Sequence, residues 1–202
     1  EHVRDLELGA GWRAPRLTLA LTAYSMAFRN EITPIGALSY LGLPLRKNVG
    51  SSSRRGVELD AAWRATRALT VTGNVAVSRG RIRAYTDDAS GQTFRDVEPL
   101  LSPRLIANHA LEYRRGMLGV SLGGRYVGRA YLNNTGNRDF VTPPSHVVDA
   151  GADVAVGRVS LMATMRNVTG ATVYTSGYTD GVTSYYYLAA PRNLFATVTT
   201  RF

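Results

Sequence analysis

Apolar and polar residues alternate with a period of two along most of this chain, the pattern of strands with two unlike faces. In the first segment Leu6, Leu8, Ala10 and Trp12 alternate with Asp5, Glu7, Gly9, Gly11 and Arg13. Ala14-Pro15-Arg16 reads as a tight turn into a segment from Leu17 to Phe28, which opens with Leu17, Leu19, Leu21 and Ala23 on one face. Tyr24 and Phe28 fall on the opposite parity, which allows a bulge or an aromatic end to that face. From Asn30 to Ser53 no period is visible, and the stretch reads as a long irregular loop.

The alternation then resumes. Val57, Leu59, Ala61 and Trp63 oppose Glu58, Asp60, Ala62 and Arg64, and a short link from Ala65 to Ala68 leads into Leu69, Val71, Gly73, Val75 and Val77. A second long loop spans about Arg83 to Leu101. Leu105, Ala107, Leu111 and Tyr113 follow, then the turn Arg114-Arg115-Gly116, then Leu118, Val120, Leu122, Gly124 and Tyr126. Beyond a loop from Asn133 to Ser145, Val148, Ala150, Ala152, Val154 and Val156 oppose Asp149 and Asp153. Gly157-Arg158 turns the chain into Val159, Leu161, Ala163 and Met165, and a further loop precedes the last strand, which ends at Phe202. The pattern predicts nine strands, most of about 10 residues or more, enough for a tilted strand to cross a bilayer. Tight turns alternate with long loops, as in a membrane barrel with short turns on one side. A β-propeller also repeats every 40 to 50 residues or so, but its blades hold four shorter strands.

Charge separates the two faces. Asp5, Glu7, Arg13, Glu58, Asp60, Arg64, Glu112, Arg125, Arg129, Asp149, Asp153, Arg166 and Arg201 all oppose the apolar row. Arg79 shares the apolar parity but lies ten residues from its turn, near the far rim. An arginine facing lipid costs about 2–4 kcal/mol at the midplane and little at the interface, so a membrane face must exclude charge where a lumen need not. A soluble sandwich would alternate in the same way with the apolar side sealed inward. Trp12, Trp63 and Tyr113 favour the membrane. Each stands one or two residues before a tight turn on the apolar parity, where interfacial aromatics belong.

Composition changes this picture little. The 202 residues carry a formal charge of +9 and no cysteine, so a disulfide scaffold or cysteine-rich zinc site is excluded. The basic residues, all arginine except Lys47, are scattered without a basic helix or RNA-binding signature, and no nucleic-acid partner is expected. Gly119-Val120-Ser121-Leu122-Gly123 fits G-x-S-x-G, but that motif needs a strand-to-helix turn and here lies within an alternating strand. His2, His109 and His146 have no metal-ligand spacing, and His109 stands on the apolar parity where an aliphatic is expected. Asp87-Asp88 and Asp96 with Glu98 read as a solvated acidic loop. No catalytic residue, metal or cofactor is expected.

The strand sequences themselves resemble a known family. VRDLELGAGW, RRGVELDAAW, LLSPRLIANHALEYRR, YVGRAYLNNTGN, HVVDAGADVAVGR and the closing APRNLFATVTTRF are similar, in order and spacing, to the C-terminal barrel strands of TonB-dependent outer-membrane receptors. RNVTGATVY departs from that family's usual Asn-Asn-Leu-Phe-Asp at Val168-Thr169-Gly170. The resemblance implies that residues 1–202 are the C-terminal part of a barrel of about 22 strands, with a plug and earlier strands outside this sequence. It further implies energy from the TonB complex and uptake of a ferric siderophore or similar chelate. Passive porin or autotransporter barrels, and an outer-membrane barrel enzyme, are the alternatives. Arg46, Lys47, Arg54, Arg55, Arg129, Tyr131, Tyr178 and Tyr185 are the candidate ligand contacts, because cationic and aromatic groups suit anionic, aromatic chelates. The same arginines would equally stabilise loops or bind lipopolysaccharide phosphates. Trp12, Trp63, Tyr113 and Phe202 are the expected membrane girdle, with Phe202 also expected to end the strand read by the barrel-assembly machinery.

Overall fold

The computed structural model describes residues 1–201 and is all strand, with no helix among them. Phe202 lies outside the described residues. A continuous antiparallel sheet runs in chain order through β1 (His2–Ala14), β2 (Leu17–Leu38), β3 (Pro44–Arg64) and β4 (Leu69–Thr86). A short β5 (Thr93–Val97) pairs only with the upper end of β4. The sheet continues through β6 (Leu105–Arg115) and β7 (Leu118–Val127). A small hairpin, β8 (Ala130–Tyr131) with β9 (Val141–Thr142), stands apart from it. β10 (Ser145–Val156) and β11 (Val159–Arg166) rejoin the sheet. A second separate hairpin pairs β12 (Tyr174–Thr179) with β13 (Ser184–Leu188), and β14 (Asn193–Thr200) completes the nine-strand path. β1 pairs only with β2 and β14 only with β11, so the sheet is open, with two free edges.

Four tight turns close one end. Gly116 and Gly157 take φ of 57° and 59° in two of them, the left-handed conformation that a two-residue hairpin of matching twist requires. In the 65–68 link the Thr66 hydroxyl accepts hydrogen bonds from the amides of Ala68 and Leu69 at 3.1 and 3.0 Å. The opposite end carries long hairpins, and these correct the reading of Asn30 to Ser53 as irregular. β2 and β3 stay paired through that stretch as far as Leu38 opposite Pro44 and turn only over 39–43. The physical reason is that backbone ladders need no apolar period. Above the level where one face must be apolar, the ladder continues while the pattern that reveals it stops. The loop expected from Arg83 to Leu101 likewise contains the upper part of β4 and all of β5.

Register turns the alternation into two surfaces. Four successive rows across β1–β4 are wholly apolar: Ala14, Leu17, Trp63 and Val71; Trp12, Leu19, Ala61 and Gly73; Ala10, Leu21, Leu59 and Val75; Leu8, Ala23, Val57 and Val77. Nothing packs on this face. Leu8 is 77% exposed, Leu161 47% and Val120 41%. The other face carries the charges, with Arg114 and Asp153 bridging at 2.9 Å over Gly119, their common register neighbour. A Cβ at Gly119 would lie 2.3 Å from the Asp153 carboxylate, so glycine leaves the space the bridge crosses. A sealed core between two sheets is absent from the described residues, which excludes the soluble sandwich.

Histidines supply a local variation. His109 and His146, distant in sequence, meet on the apolar face with ring centroids 5.5 Å apart across Gly124. A Cβ on Gly124 would sit 2.4 Å from the His109 ring, so that glycine provides the room for an imidazole among aliphatics. Among the described residues no third histidine, cysteine or carboxylate joins them as a metal ligand would.

Candidate functional site

The buried core sits at the long-hairpin end, over the charged face. Val49, Ile82, Tyr85 and Val97 form it, with Ile35 and Phe94 packed against them. Ile82 pairs with Ser52 and so shares the parity of Glu58 and Asp60, which makes the charged surface the inner one. Asn30, at φ 53°, reorients β2 here. Below it the odd-numbered residues belong to the apolar face. Above it Glu31 and Thr33 are buried and point inward.

That reorientation determines what two of the candidate cations do. Glu31 accepts hydrogen bonds from the Ser52 hydroxyl and the Arg54 guanidinium, while Arg54 lies over the Phe28 ring at 4.7 Å. Arg54 is therefore neutralised within the wall. Lys47 is held the same way. Its ammonium pairs with Asp88 at 2.7 Å, donates to the Thr86 carbonyl and stands 4.6 Å from the Tyr85 ring centroid. Burial, followed by the charges of Asp87 and Asp88, pushes the Tyr85 phenol up to about 12.

The remaining candidates separate. Arg129 stacks on Tyr131 at 5.2 Å, and Tyr131 is itself buried. Arg46 is exposed on the upper β3, opposite Pro34. Arg55 pairs with Ser25 and Arg79 on the apolar parity, so it faces outward. Tyr178 and Tyr185 do come together, stacked at 4.9 Å across the β12–β13 hairpin, with Tyr187 at 6.3 Å from Tyr178. The eight residues thus occupy separate places instead of one site.

Sequence reasoning missed the groups that assemble this end. Asn134, wholly buried, accepts from the Leu100 amide and donates to the Pro34 carbonyl, each at 2.8 Å, tying three hairpins together. Gly36, at φ 84°, approaches the chain at Leu132 so closely that a Cβ would lie 2.3 Å from its carbonyl oxygen. Tyr186 and Tyr187 were legible, beside Tyr185, as the aromatic run Ser184-Tyr185-Tyr186-Tyr187-Leu188, whereas Tyr174 stands apart from it on β12. Tyr186 packs tilted against Tyr174, with ring centroids 4.5 Å apart, and donates to the Val141 carbonyl at 3.0 Å, fastening the hairpin to its neighbour. Between these hairpins opens a cleft of about 770 Å³, bordered by Tyr85, Asp88, Phe94, Asn133, Phe140 and Asp180. The acidic loop foreseen at Asp87-Asp88 is one wall of it.

A sheet whose outer face is free of charge over the four rows nearest the turns, with packed hairpins over its inner face at the other end, is a barrel wall. A family model, described as the TonB-dependent receptor-like β-barrel, matches residues 1–168. The chain belongs to that family. Solved structures agree in fold. The ferric yersiniabactin uptake receptor FyuA from Yersinia pestis superposes with a TM-score of 0.77 at 20% identity, covering 99% of this chain and 30% of that one. The siderophore receptor PiuA from Acinetobacter baumannii gives 0.75 at 19% identity, with 98% and 28% covered. A copper transporter, OprC, gives 0.73 at 17% identity, with 98% and 31% covered. Among curated proteins none matches in sequence. The chain spans less than a third of the length of these structures. Ser121 of this barrel wall pairs with Glu112 and Gly151 inside the sheet, so its G-x-S-x-G stretch has no strand-to-helix turn to expose a nucleophile.

Proposed function

We propose that the chain is the C-terminal portion of an outer-membrane receptor that takes up a ferric siderophore or similar nutrient chelate with energy from the TonB complex. Family membership supports receptor and transport at the coarse level. The finer reading rests on one observation: the long-hairpin end is a packed, aromatic surface and not a set of loose loops. Tyr185 and Tyr187 are exposed there beside the cleft-forming hairpins, and flat phenol rings suit an aromatic, weakly hydrated chelate. The lower inner wall, with Asp5, Glu7, Glu58 and Asp60 on β1 and β3, would face the plug, and β1 and β14 would pair with strands outside this sequence. The final strand would be the element read by the barrel-assembly machinery.

Uptake in the host strain tests this. Deleting the gene should abolish TonB-dependent accumulation of at least one member of a panel of radiolabelled ferric chelates, and the wild-type gene should restore it. Accumulation that persists without TonB, or steady ion conductance from the purified full-length protein, would instead make it a passive barrel.

A further inference from the structure

Above the four apolar rows the outward face changes character in one step. The next three rows across β1–β4 read Leu6, Ser25, Arg55 and Arg79; Arg4, Ala27, Ser53 and Arg81; His2, Arg29 and Ser51, with Arg83 next in parity on β4. Among the described residues no acidic side chain of these four strands shares those rows. A carboxylate approaches only from β5, where Asp96 borders a cavity of about 250 Å³ with Arg81, Arg83 and Ser51–Ser53. Arg81 is anchored there, donating to the Asp96 backbone carbonyl. Arg55 and Arg79 are exposed register partners and have no ion-pair partner among the described residues.

Two like charges placed opposite each other on a strand pair repel and destabilise it, unless something anionic lies between them. The position says what that is. The rows lie directly beyond the lipid-facing apolar surface and at the long-hairpin end, hence at the outer leaflet. Guanidinium forks match phosphate oxygens in pairs, and the serine stripe between the arginines adds hydroxyl donors. We infer that the outward face of β1–β4 is a binding site for the phosphorylated headgroup of lipid A, held by Arg55, Arg79, Arg81 and Arg29 around Ser51 and Ser53. This rests on the outer-membrane reading above. Acyl chains would then run down the apolar rows beneath the same arginines.

The test uses the full-length receptor in detergent, with native mass spectrometry reading bound lipid. Bisphosphorylated lipid A should bind on the order of tenfold or more tightly to wild type than to an Arg55→Gln/Arg79→Gln/Arg81→Gln variant. Lipid A stripped of its phosphates should bind both proteins alike and weakly. Arg125→Gln, on the inner face, should leave lipid A binding unchanged, and heat-modifiable migration on gels reports that each variant is folded. Equal lipid A affinity in wild type and the triple variant overturns the inference, as does equal affinity for dephosphorylated lipid A. Phosphatidylglycerol binding as tightly as lipid A overturns the assignment to lipid A in favour of any anionic lipid. Membrane fractionation keeps the two readings distinct: absence from the outer membrane defeats the outer-membrane reading, while correct fractionation with unchanged lipid A binding defeats this inference alone.

Discussion

Asn30 and its neighbour across the ladder, Gly50, divide this wall into two regions held together by different physics. Below them the sheet has no core. Its four apolar rows are exposed on one side with the charges beside them on the other, and the alternation there follows from which solvent each face meets. Above them the period vanishes, and hairpins fold over the inner face around Val49, Ile82, Tyr85 and Val97, with polar groups satisfied one by one. The aliphatic positions of the four apolar rows accept another aliphatic residue and no charge. The upper region tolerates changes at exposed sites and few at its packed ones.

The largest effect that would break this contrast is a charge in the apolar rows. Val75→Arg, in the third row from the turns, should destabilise the full-length barrel by about 2–4 kcal/mol in vesicles, whereas Val77→Arg, beside the arginine rows, should cost about 0–1 kcal/mol. Reversible denaturant unfolding in lipid checks the difference. Equal costs at both positions would mean that the rows do not sit at different depths.

Asn134→Ala should act only on the upper region. It leaves the Leu100 amide and the Pro34 carbonyl without their partner, at about 1–3 kcal/mol for each buried group so stranded. Hydrogen exchange should accelerate at Leu100 and in the β8–β9 hairpin, and protease should cut these segments sooner. The denaturation midpoint of the spanning strands should stay where it was. A shifted midpoint would show that cap and wall unfold as one unit. Lys47→Met should matter less, below about 1 kcal/mol, because its partner Asp88 is mostly exposed and a pair at the surface is screened. The same protease assay reads it.

These contrasts also explain what the sequence disclosed. The nine strands, the tight turns at Pro15, Gly116 and Gly157 and the outward set from Leu8 to Leu161 were legible because the bilayer imposes one sign on one parity. The upper half of β2 and β3 was not, because its ladder carries no such constraint. The candidate cations misled for a related reason. Arg54 and Lys47 look free in the sequence, but their acidic partners Glu31 and Asp88 lie 23 and 41 residues away, and only the folded hairpins bring them together. Arg55 follows a parity that could be counted from Val57, so its outward direction was readable. Asn134 offered no signal at all, since an asparagine in a loop is ordinary until two carbonyl and amide groups converge on it.

The smallest expected effect concerns the tip of the β12–β13 hairpin, and it separates local from shared stability within the upper region. Asp180 accepts hydrogen bonds from the amides of Thr183 and Val182 at 2.7 and 2.9 Å, and from the Tyr185 hydroxyl at 3.2 Å. The Thr183 and Val182 amides, in that order, hold its carboxyl below the usual 3.8, because each donor favours the ionised form. The unfolded chain therefore takes up a proton first as pH falls, so the turn keeps its full stabilisation above pH 3.8 and loses it as pH drops through the lower folded value. Asp180 is fully exposed, so the loss should be confined to the turn and to the seating of Tyr185 against Tyr178. Amide exchange at Val182 and Thr183, followed from pH 6 downward, should rise above the intrinsic trend only in that acidic window, and Asp180→Asn should blunt the pH dependence. Protection at Leu100, held by the uncharged Asn134, should not respond. If Leu100 loosens over the same window, the hairpins share one cooperative cap, and Asp180 acts on all of it.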